Sequence, residues 1–404
     1  MQKKVDAGYI ARAQKLGQSV ERLQAGEAVE TYVQVNSLAE FKALVAADLS
    51  DDQRQRNSQD LARRHAHDLA VDAKTFPLAR LIDHVYGTAH LSDTDSQLAK
   101  EIFPTKVRVI SQADMTVTTN IVYGPSGSPV VLNVGTLTFN GGSITTQNTV
   151  LSLTADALAF GSTPATKPYH IGFMGVDGAA GTNGNAGAAP NPPQAASGSN
   201  ASPRSPGVCT GVGNGGNGSP GAVGAHGGNG LTGNNGLPSL PGTLSIGSFA
   251  TPGAQFVLYT RSGSGGLGGS GGSGGAGQKG GNGGNGCDSG CEGTDGGNAG
   301  NGGNGGEGGD GGQGGNGVNG FNIQAKVPAA NLNSVVTSSD TAPYGQGGAE
   351  GGGATGGQPG SAGSGGKGSP NGAPGTQGNP GSAGKKGTVG TQQGSPGQFF
   401  ISGV

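Results

Sequence analysis

Residues 297–317 read GNAGNGGNGGEGGDGGQGGNG, and this stretch decides what kind of fold the chain can adopt. Over most of it two of every three positions are glycine, and the third is Asn, Glu, Asp or Gln. The triplet frame recurs in five further stretches, at 172–187, 215–236, 265–286, 348–366 and 372–390. A flexible linker has no reason to keep a frame, so the triplet is a structural unit.

A period of three residues is typical of the polyproline II helix, which makes no hydrogen bonds within itself. A neighbouring backbone can approach such a helix only across a face that lacks side chains, and glycine supplies that face. Gly-Gly-X triplets are therefore expected to pack on two faces, and Gly-X-X triplets on one. The predicted packing glycines are Gly302, Gly303, Gly305, Gly306, Gly308, Gly309, Gly311 and Gly312. The predicted exposed face consists of Asn304, Glu307, Asp310 and Gln313.

Residues 1–105 carry most of the charge and have the pattern of helices. Together with Lys106 they contain 14 of the 23 Lys and Arg residues, and they contain 15 of the 25 Asp and Glu residues. Ser37 with Glu40, and Ser50 with Gln53, have the spacing of the capping box that begins a helix. This pattern predicts a helical assembly or docking region over 1–105.

Residues 106–170 change to the alternation that is typical of half-buried strands. Leu132 and Val134, and Leu137 and Phe139, flank polar or small residues at a spacing of two. Short strands of this kind suit a β-solenoid or a small sandwich, and the sequence does not separate the two. We expect a β-strand platform over 106–170.

Residues 171–404 alternate glycine runs with short apolar segments, at 243–260, at 321–344 and at the C-terminus. Glycine runs contain no side chains that could form a core, so apolar burial must come from segments that return to the strands. The predicted fold class is thus multidomain. It has an N-terminal α-helical region, a central short-stranded β region and, over 171–404, a C-terminal polyglycine II helix bundle with β returns.

Two alternatives to this bundle are disorder and collagen. Abundant glycine with few apolar residues is typical of a flexible coil, but the strict frame and the regular apolar returns favour order. Collagen also requires glycine at every third position and gains rigidity from proline at the other two. Here those positions are mostly Gly, Asn, Ser and Ala, which favours a bundle within one chain.

The Gly-Gly-X and Gly-X-X runs resemble those of polyglycine II sandwich proteins. These include receptor-binding adhesins at the tips of bacteriophage tail fibres and the snow flea antifreeze protein, and runs such as GGNGGNGG are also similar to the glycine-rich domains of mycobacterial PE/PGRS proteins. The resemblance covers at most residues 172–397, and it implies a fold more strongly than a role. The charged residues Glu307, Asp310 and Lys279 at exposed positions disfavour an ice-binding surface.

The sequence contains few residues in the patterns of catalytic, cofactor-binding or metal-binding sites. GxGxxG occurs by composition alone and without the strand and helix that a dinucleotide site needs. Asp288, Glu292 and Asp295 are interpreted as a solvated turn rather than as a calcium site. We therefore predict no enzyme activity, no cofactor, and neither catalytic nor metal-binding residues.

The chain has three cysteines, so at least one of them is left without a disulfide partner within the chain. Cys287 and Cys291 flank a turn between two glycine runs, and this makes them the first candidate disulfide. Cys209 precedes another run and is the alternative partner for either of them.

Partners and function follow from these exclusions. A net charge of −2 with no basic cluster argues against nucleic acid, and no segment has the length of a membrane span. We expect a non-enzymatic, self-assembling surface fibre or matrix subunit, hence a homo-oligomer or polymer. It would be extracellular, on a cell surface or in a virion, and exported without a recognisable signal peptide. The alternative is an adhesin that binds a cell-surface receptor or a glycan.

Overall fold

The structure is a computed structural model that describes residues 7–65, 77–125, 128–162, 167–204 and 207–404. Two β-sheets that face each other organise these residues. A layer of helices covers the outer face of one sheet, and long glycine hairpins extend from the ends of the strands.

The N-terminal region contains helices and one strand. Its elements are α1 (Ala7–Lys15), α2 (Val20–Gln24), β1 (Val29–Val35), α3 (Leu38–Val45), α4 (Asp51–His65), α5 (Pro77–Tyr86) and α6 (Asp93–Ile102). Both predicted capping boxes begin helices. The Ser37 hydroxyl accepts a hydrogen bond from the Glu40 N–H at 3.2 Å, and Ser50 and Gln53 bond each other reciprocally.

Strands from the rest of the chain alternate between the two sheets. Their bounds are β2 (Thr105–Val117), β3 (Asn120–Tyr123), β4 (Val130–Phe139), β5 (Ser143–Gln147), β6 (Leu151–Phe160), β7 (Ile171–Met174), β8 (Gly242–Ile246), β9 (Phe256–Arg261), β10 (Ile323–Val327), β11 (Val335–Asp340) and β12 (Phe399–Gly403). A 3₁₀ turn at Ala329–Ser334 separates β10 from β11. The seven-stranded sheet has the order β1-β2-β4-β6-β8-β10-β12, and the five-stranded sheet has the order β11-β9-β7-β5-β3.

The strands pair in parallel in both sheets, except that β1 is antiparallel to β2. Because consecutive strands from β2 to β12 belong to different sheets, the chain coils around the space between the sheets in the manner of a solenoid. The first coils return through short turns. From β7 onward each connection back to the seven-stranded sheet is a glycine hairpin, over 175–241, 262–322 and 341–398, whereas short segments join β8 to β9 and β10 to β11.

Two large apolar cores hold these layers together, and a smaller cluster of Tyr9, Ala13, Leu23 and Val29 joins α1 and α2 to β1. One fills the space between the sheets and includes Leu132, Ile144 and Phe173. The other lies between the helices and the outer face of the seven-stranded sheet, where Phe41 and Leu81 pack near Val109. Burial of side chains on both faces of this sheet explains its long apolar strands.

The predicted fold class is wrong. The chain is an α/β arrangement built on sheets of seven and five strands, not a helical N-terminal domain joined to a polyglycine bundle. The region predicted as helical supplies β1 to the larger sheet, and the glycine-rich region supplies strands β7 to β12. The physical reason is that each glycine hairpin begins and ends in a sheet strand, so both sheets are completed only by residues distant in sequence.

Candidate functional site

The glycine hairpins form two layers that continue the two sheets. We number their arms as run 1 (175–201), run 2 (215–236), run 3 (263–286), run 4 (293–317), run 5 (345–366) and run 6 (372–390). Backbone hydrogen bonds at triplet spacing join runs 1, 3 and 5 in one layer and runs 2, 4 and 6 in the other, and further bonds join the two layers.

The predicted packing glycines lie against the backbones of other runs. A Cβ atom added at any of the eight would come closer than 3.0 Å to a backbone carbonyl oxygen. Gly305 would meet Ala354 of run 5, whereas Gly306 would meet Ala225 of run 2. The N–H of Gly305 bonds to run 6 and that of Gly306 bonds to run 3, so run 4 has close neighbours on four sides.

Asn304, Glu307, Asp310 and Gln313 are all exposed. Two of them also accept hydrogen bonds from backbone N–H groups of run 6, Asn304 from Asn379 at 2.9 Å and Asp310 from Lys385 at 2.6 Å. Sequence reasoning missed this second role. The signal available was the repeated choice of Asn at the third triplet position, since a short side-chain oxygen reaches an adjacent backbone N–H.

The turns farthest from the sheets form one disulfide-bonded tip, made of residues 202–204, 207–214, 287–292 and 367–371. Cys209 is bonded to Cys287, and Cys291 is a free, exposed cysteine. The first-choice pairing of Cys287 with Cys291 is therefore not the one formed, because Cys209 from another hairpin lies beside Cys287. The Glu292 carboxylate accepts hydrogen bonds from the Cys209 and Thr210 N–H groups at 2.8 and 2.7 Å. Hydrogen bonds from the Thr210 hydroxyl and these N–H groups lower the pKa of Glu292.

The helical layer is joined to the glycine hairpins through Arg64 of α4. Its guanidinium donates hydrogen bonds to the carbonyl oxygens of Gly320 and Pro396 at 3.0 and 2.9 Å, where two hairpins re-enter the sheet. It also forms an ion pair with the buried Asp60. Burial by itself would raise the pKa of Asp60, but hydrogen bonds from Arg64, Arg63 and Asn322 outweigh this effect and lower it.

Both sheets end on the same side of the molecule, at β12 in one sheet and β11 in the other. The side chains of Phe399, Phe400 and Ile401 in β12 are only half-buried, and β12 is an edge strand with one pairing partner, β10. At the opposite edge of the same sheet lies β1, where the Tyr32 side chain is 58% exposed. Edge strands of this kind present unpaired backbone groups to other chains.

No cluster of three or more His, Cys, Asp or Glu residues in the described ranges is placed to hold a metal ion. Within the same ranges, none of the helices has the length and apolar character needed to cross a bilayer. Comparisons with family models, curated proteins and solved structures found no match to this chain.

Proposed function

We propose that the protein is a non-enzymatic structural subunit that assembles head to tail through the two edges of its seven-stranded sheet. The observation that carries this proposal is the open edge at β12, whose apolar side chains are half-buried. Pairing β12 of one copy with β1 of the next would extend the sheet. Because the two edges differ, such a contact is heterologous and produces a filament unless the rotation closes a ring.

The outer edge of the glycine layers, in contrast to the edge at β12, is protected against pairing with another chain. Run 6 has Gly-X-X triplets and carries exposed proline residues at Pro374 and Pro380. Proline lacks the N–H that pairing requires and is a common means of protecting an edge. This contrast supports growth along the sheet rather than through the glycine layers.

The adhesin hypothesis places a receptor at the tip. Aromatic side chains are enriched where proteins recognise one another, but the residues of the tip contain none. The aromatic residues of the central region lie instead between the sheets, where Phe139, Phe160 and Phe256 pack with His170. This distribution favours the structural role over receptor binding.

The proposal is tested by following assembly against protein concentration with sedimentation velocity and negative-stain imaging. We expect elongated particles for the unmodified protein. Tyr32→Lys places a charge on the β1 edge and should leave single subunits, because strands rarely pair across an edge lysine. Val389→Lys, on the edge of run 6, is the matched control and should assemble normally.

Two results would contradict the proposal. One is an unmodified protein that stays a single subunit at every concentration. The other is equal loss of assembly in both lysine variants, which would mean that the sheet edges have no special part in it.

A further inference from the structure

A cleft of about 450 Å³ lies between the helical layer and the outer face of the seven-stranded sheet. Its wall comes from α1 and from the segment that runs through the end of α3 to Leu49, and is mostly aliphatic. Its floor crosses the four adjacent strands β4, β6, β8 and β10. The volume is within the range of about 300–1,000 Å³ that is common for small-molecule sites.

The floor is lined by two rows of polar side chains, each row running across neighbouring strands. Strand register aligns Ser152, Thr243 and Gln324 in one row. The second row aligns Asn133, Thr154, Ser245 and Lys326. All seven line the cleft. A sheet face covered by helices normally carries apolar residues, so this concentration of hydroxyl and amide groups needs an explanation.

Gln324 is the strongest indication that the floor binds something. The residue is 2% exposed, and neither its amide nitrogen nor its amide oxygen has a hydrogen-bond partner among the described residues. An unpaired buried polar group costs about 1–3 kcal/mol. The hydroxyls of Ser152, Thr154 and Ser245 likewise make no side-chain hydrogen bond to any described residue. The three hydroxyls are available to a ligand, and the buried Gln324 amide has no hydrogen bond that a ligand would have to replace.

The charged groups around the cleft are mostly engaged elsewhere. Arg12 forms an ion pair with Asp156 at 2.6 Å and donates to the Asn133 side chain at 2.8 Å. The Lys326 ammonium donates to the backbone carbonyl of Asp48. Lys15 and Glu40 are exposed at the mouth and have opposite charge, and the exposed Asp48 carboxylate balances the charge of Lys326. The cleft therefore offers neutral donors and acceptors rather than a net charge.

We propose that this cleft binds a neutral sugar of one or two units. A purely apolar ligand would bury the Gln324 amide and the free hydroxyls without replacing their hydrogen bonds, which is costly. An anionic ligand would compete with Asp156 for Arg12. A sugar hydroxyl both donates and accepts, as the Gln324 amide and the serine and threonine hydroxyls require.

Spacing supports the same ligand class. Side chains aligned on adjacent strands are about 4.8 Å apart, which is comparable with the separation of alternate hydroxyls on a pyranose ring. The floor can therefore bond one edge of a ring while Ala43 and Leu44 of the wall cover its C–H groups. This inference is independent of the assembly role, since no residue of β12 lines the cleft.

Titration calorimetry and saturation-transfer NMR of the full chain test the proposal. The probes are glucose, galactose, mannose, N-acetylglucosamine and cellobiose. We expect at least one to bind, and we expect Gln324→Leu to weaken that binding by about tenfold or more, because two hydrogen bonds are lost. Thr154→Val should weaken it as well. Gln346→Leu changes an exposed glutamine outside the cleft and should bind as the unmodified protein does.

Thermal melting of the same variants separates a binding role from a structural one. Gln324→Leu removes an unpaired buried amide, so its melting temperature should stay the same or rise. Absence of binding by all five sugars would overturn the proposal. So would sugar binding that Gln324→Leu leaves unchanged, or a Gln324→Leu protein that loses stability as if a structural hydrogen bond had been removed.

Discussion

At the scale of the residue, stability depends on which position of a triplet is changed. Gly306 lies against Ala225, and any side chain there overlaps a backbone carbonyl, whereas the neighbouring Glu307 is exposed. Gly306→Val should separate runs 2 and 4 and break several hydrogen bonds, each contributing about 0.5–1.5 kcal/mol. Glu307→Val should change the free energy of unfolding by less than about 0.5 kcal/mol. Urea denaturation of both variants makes the comparison, and equal losses would contradict it.

His170 provides a second prediction at this scale, on pH. It is buried among Phe139, Phe160 and Phe256, and its Nδ1 atom accepts a hydrogen bond from the Val257 N–H at 3.0 Å. Burial lowers the pKa of His170 from 6.5 to about 4. Since the unfolded chain then binds the proton more readily, the stability that neutral His170 gives the folded protein is fully present above pH 6.5. It is lost as the pH falls towards 4.

Acidification to pH 4 should lower the unfolding free energy by up to about 3 kcal/mol through the protonation of His170. His170→Gln keeps a hydrogen-bond acceptor but does not titrate. The difference in unfolding free energy between the two proteins, measured from pH 8 to pH 4, should therefore change across this window. A constant difference would show that His170 does not titrate in the way the burial requires.

At the scale of the element, α4 is attached to the sheet mainly through the buried ion pair of Arg64 with Asp60 and the hydrogen bonds of Arg64. The Arg64 side chain is 10% exposed and Asp60 is 4% exposed. Arg64→Met leaves the Asp60 carboxylate buried without its main partner, which should cost about 3–5 kcal/mol. Arg56→Met, in an exposed pair with Asp52, is the control and should cost less than about 1 kcal/mol.

The double variant Arg64→Met with Asp60→Leu tests the cause. If the cost of the single change comes from an unpaired buried charge, removing that charge should recover much of the stability. A double variant that is as unstable as Arg64→Met would mean instead that the lost bonds to Gly320 and Pro396 dominate. Urea denaturation measures all three proteins.

The elements also differ in how far the sequence could predict them. Capping boxes identified α3 and α4, because a cap is a local interaction. The strand β1 was missed, although Val29, Thr31, Val33 and Val35 alternate in the sequence, because the helical pattern around it dominated the interpretation. The pairing of β6 with β8, and of β8 with β10, could not be predicted, since about 80 residues separate each pair and the glycine hairpin that makes up most of them carries no information on register. The cleft was missed because its floor exists only once those strands align.

At the scale of the whole molecule, the glycine layers and the sheets are continuous. Each hairpin begins and ends in a strand, and Arg64 contacts two of the points where a hairpin re-enters the sheet. Ordering glycine carries a large entropy cost, and the runs contain few side chains to offset it. The apolar core between the sheets and the tip disulfide act at opposite ends of the same hairpins, so we expect a single cooperative unfolding unit.

Removing the disulfide tests this cooperativity. Cys209 and Cys287 are 78 residues apart, and a cross-link that closes a loop of this length stabilises a protein by about 4 kcal/mol in the chain-entropy model. Cys209→Ser with Cys287→Ser should lower the unfolding free energy accordingly, while Cys291→Ser, which changes the free thiol, should not.

Native-state hydrogen exchange then shows which amides lose protection when the disulfide is removed. If the molecule unfolds as one unit, amides of β8 and β10 should lose protection together with those of runs 2 to 4, although the cysteines lie at the far end of the hairpins. Loss of protection confined to the runs would mean that the hairpins melt independently of the sheets.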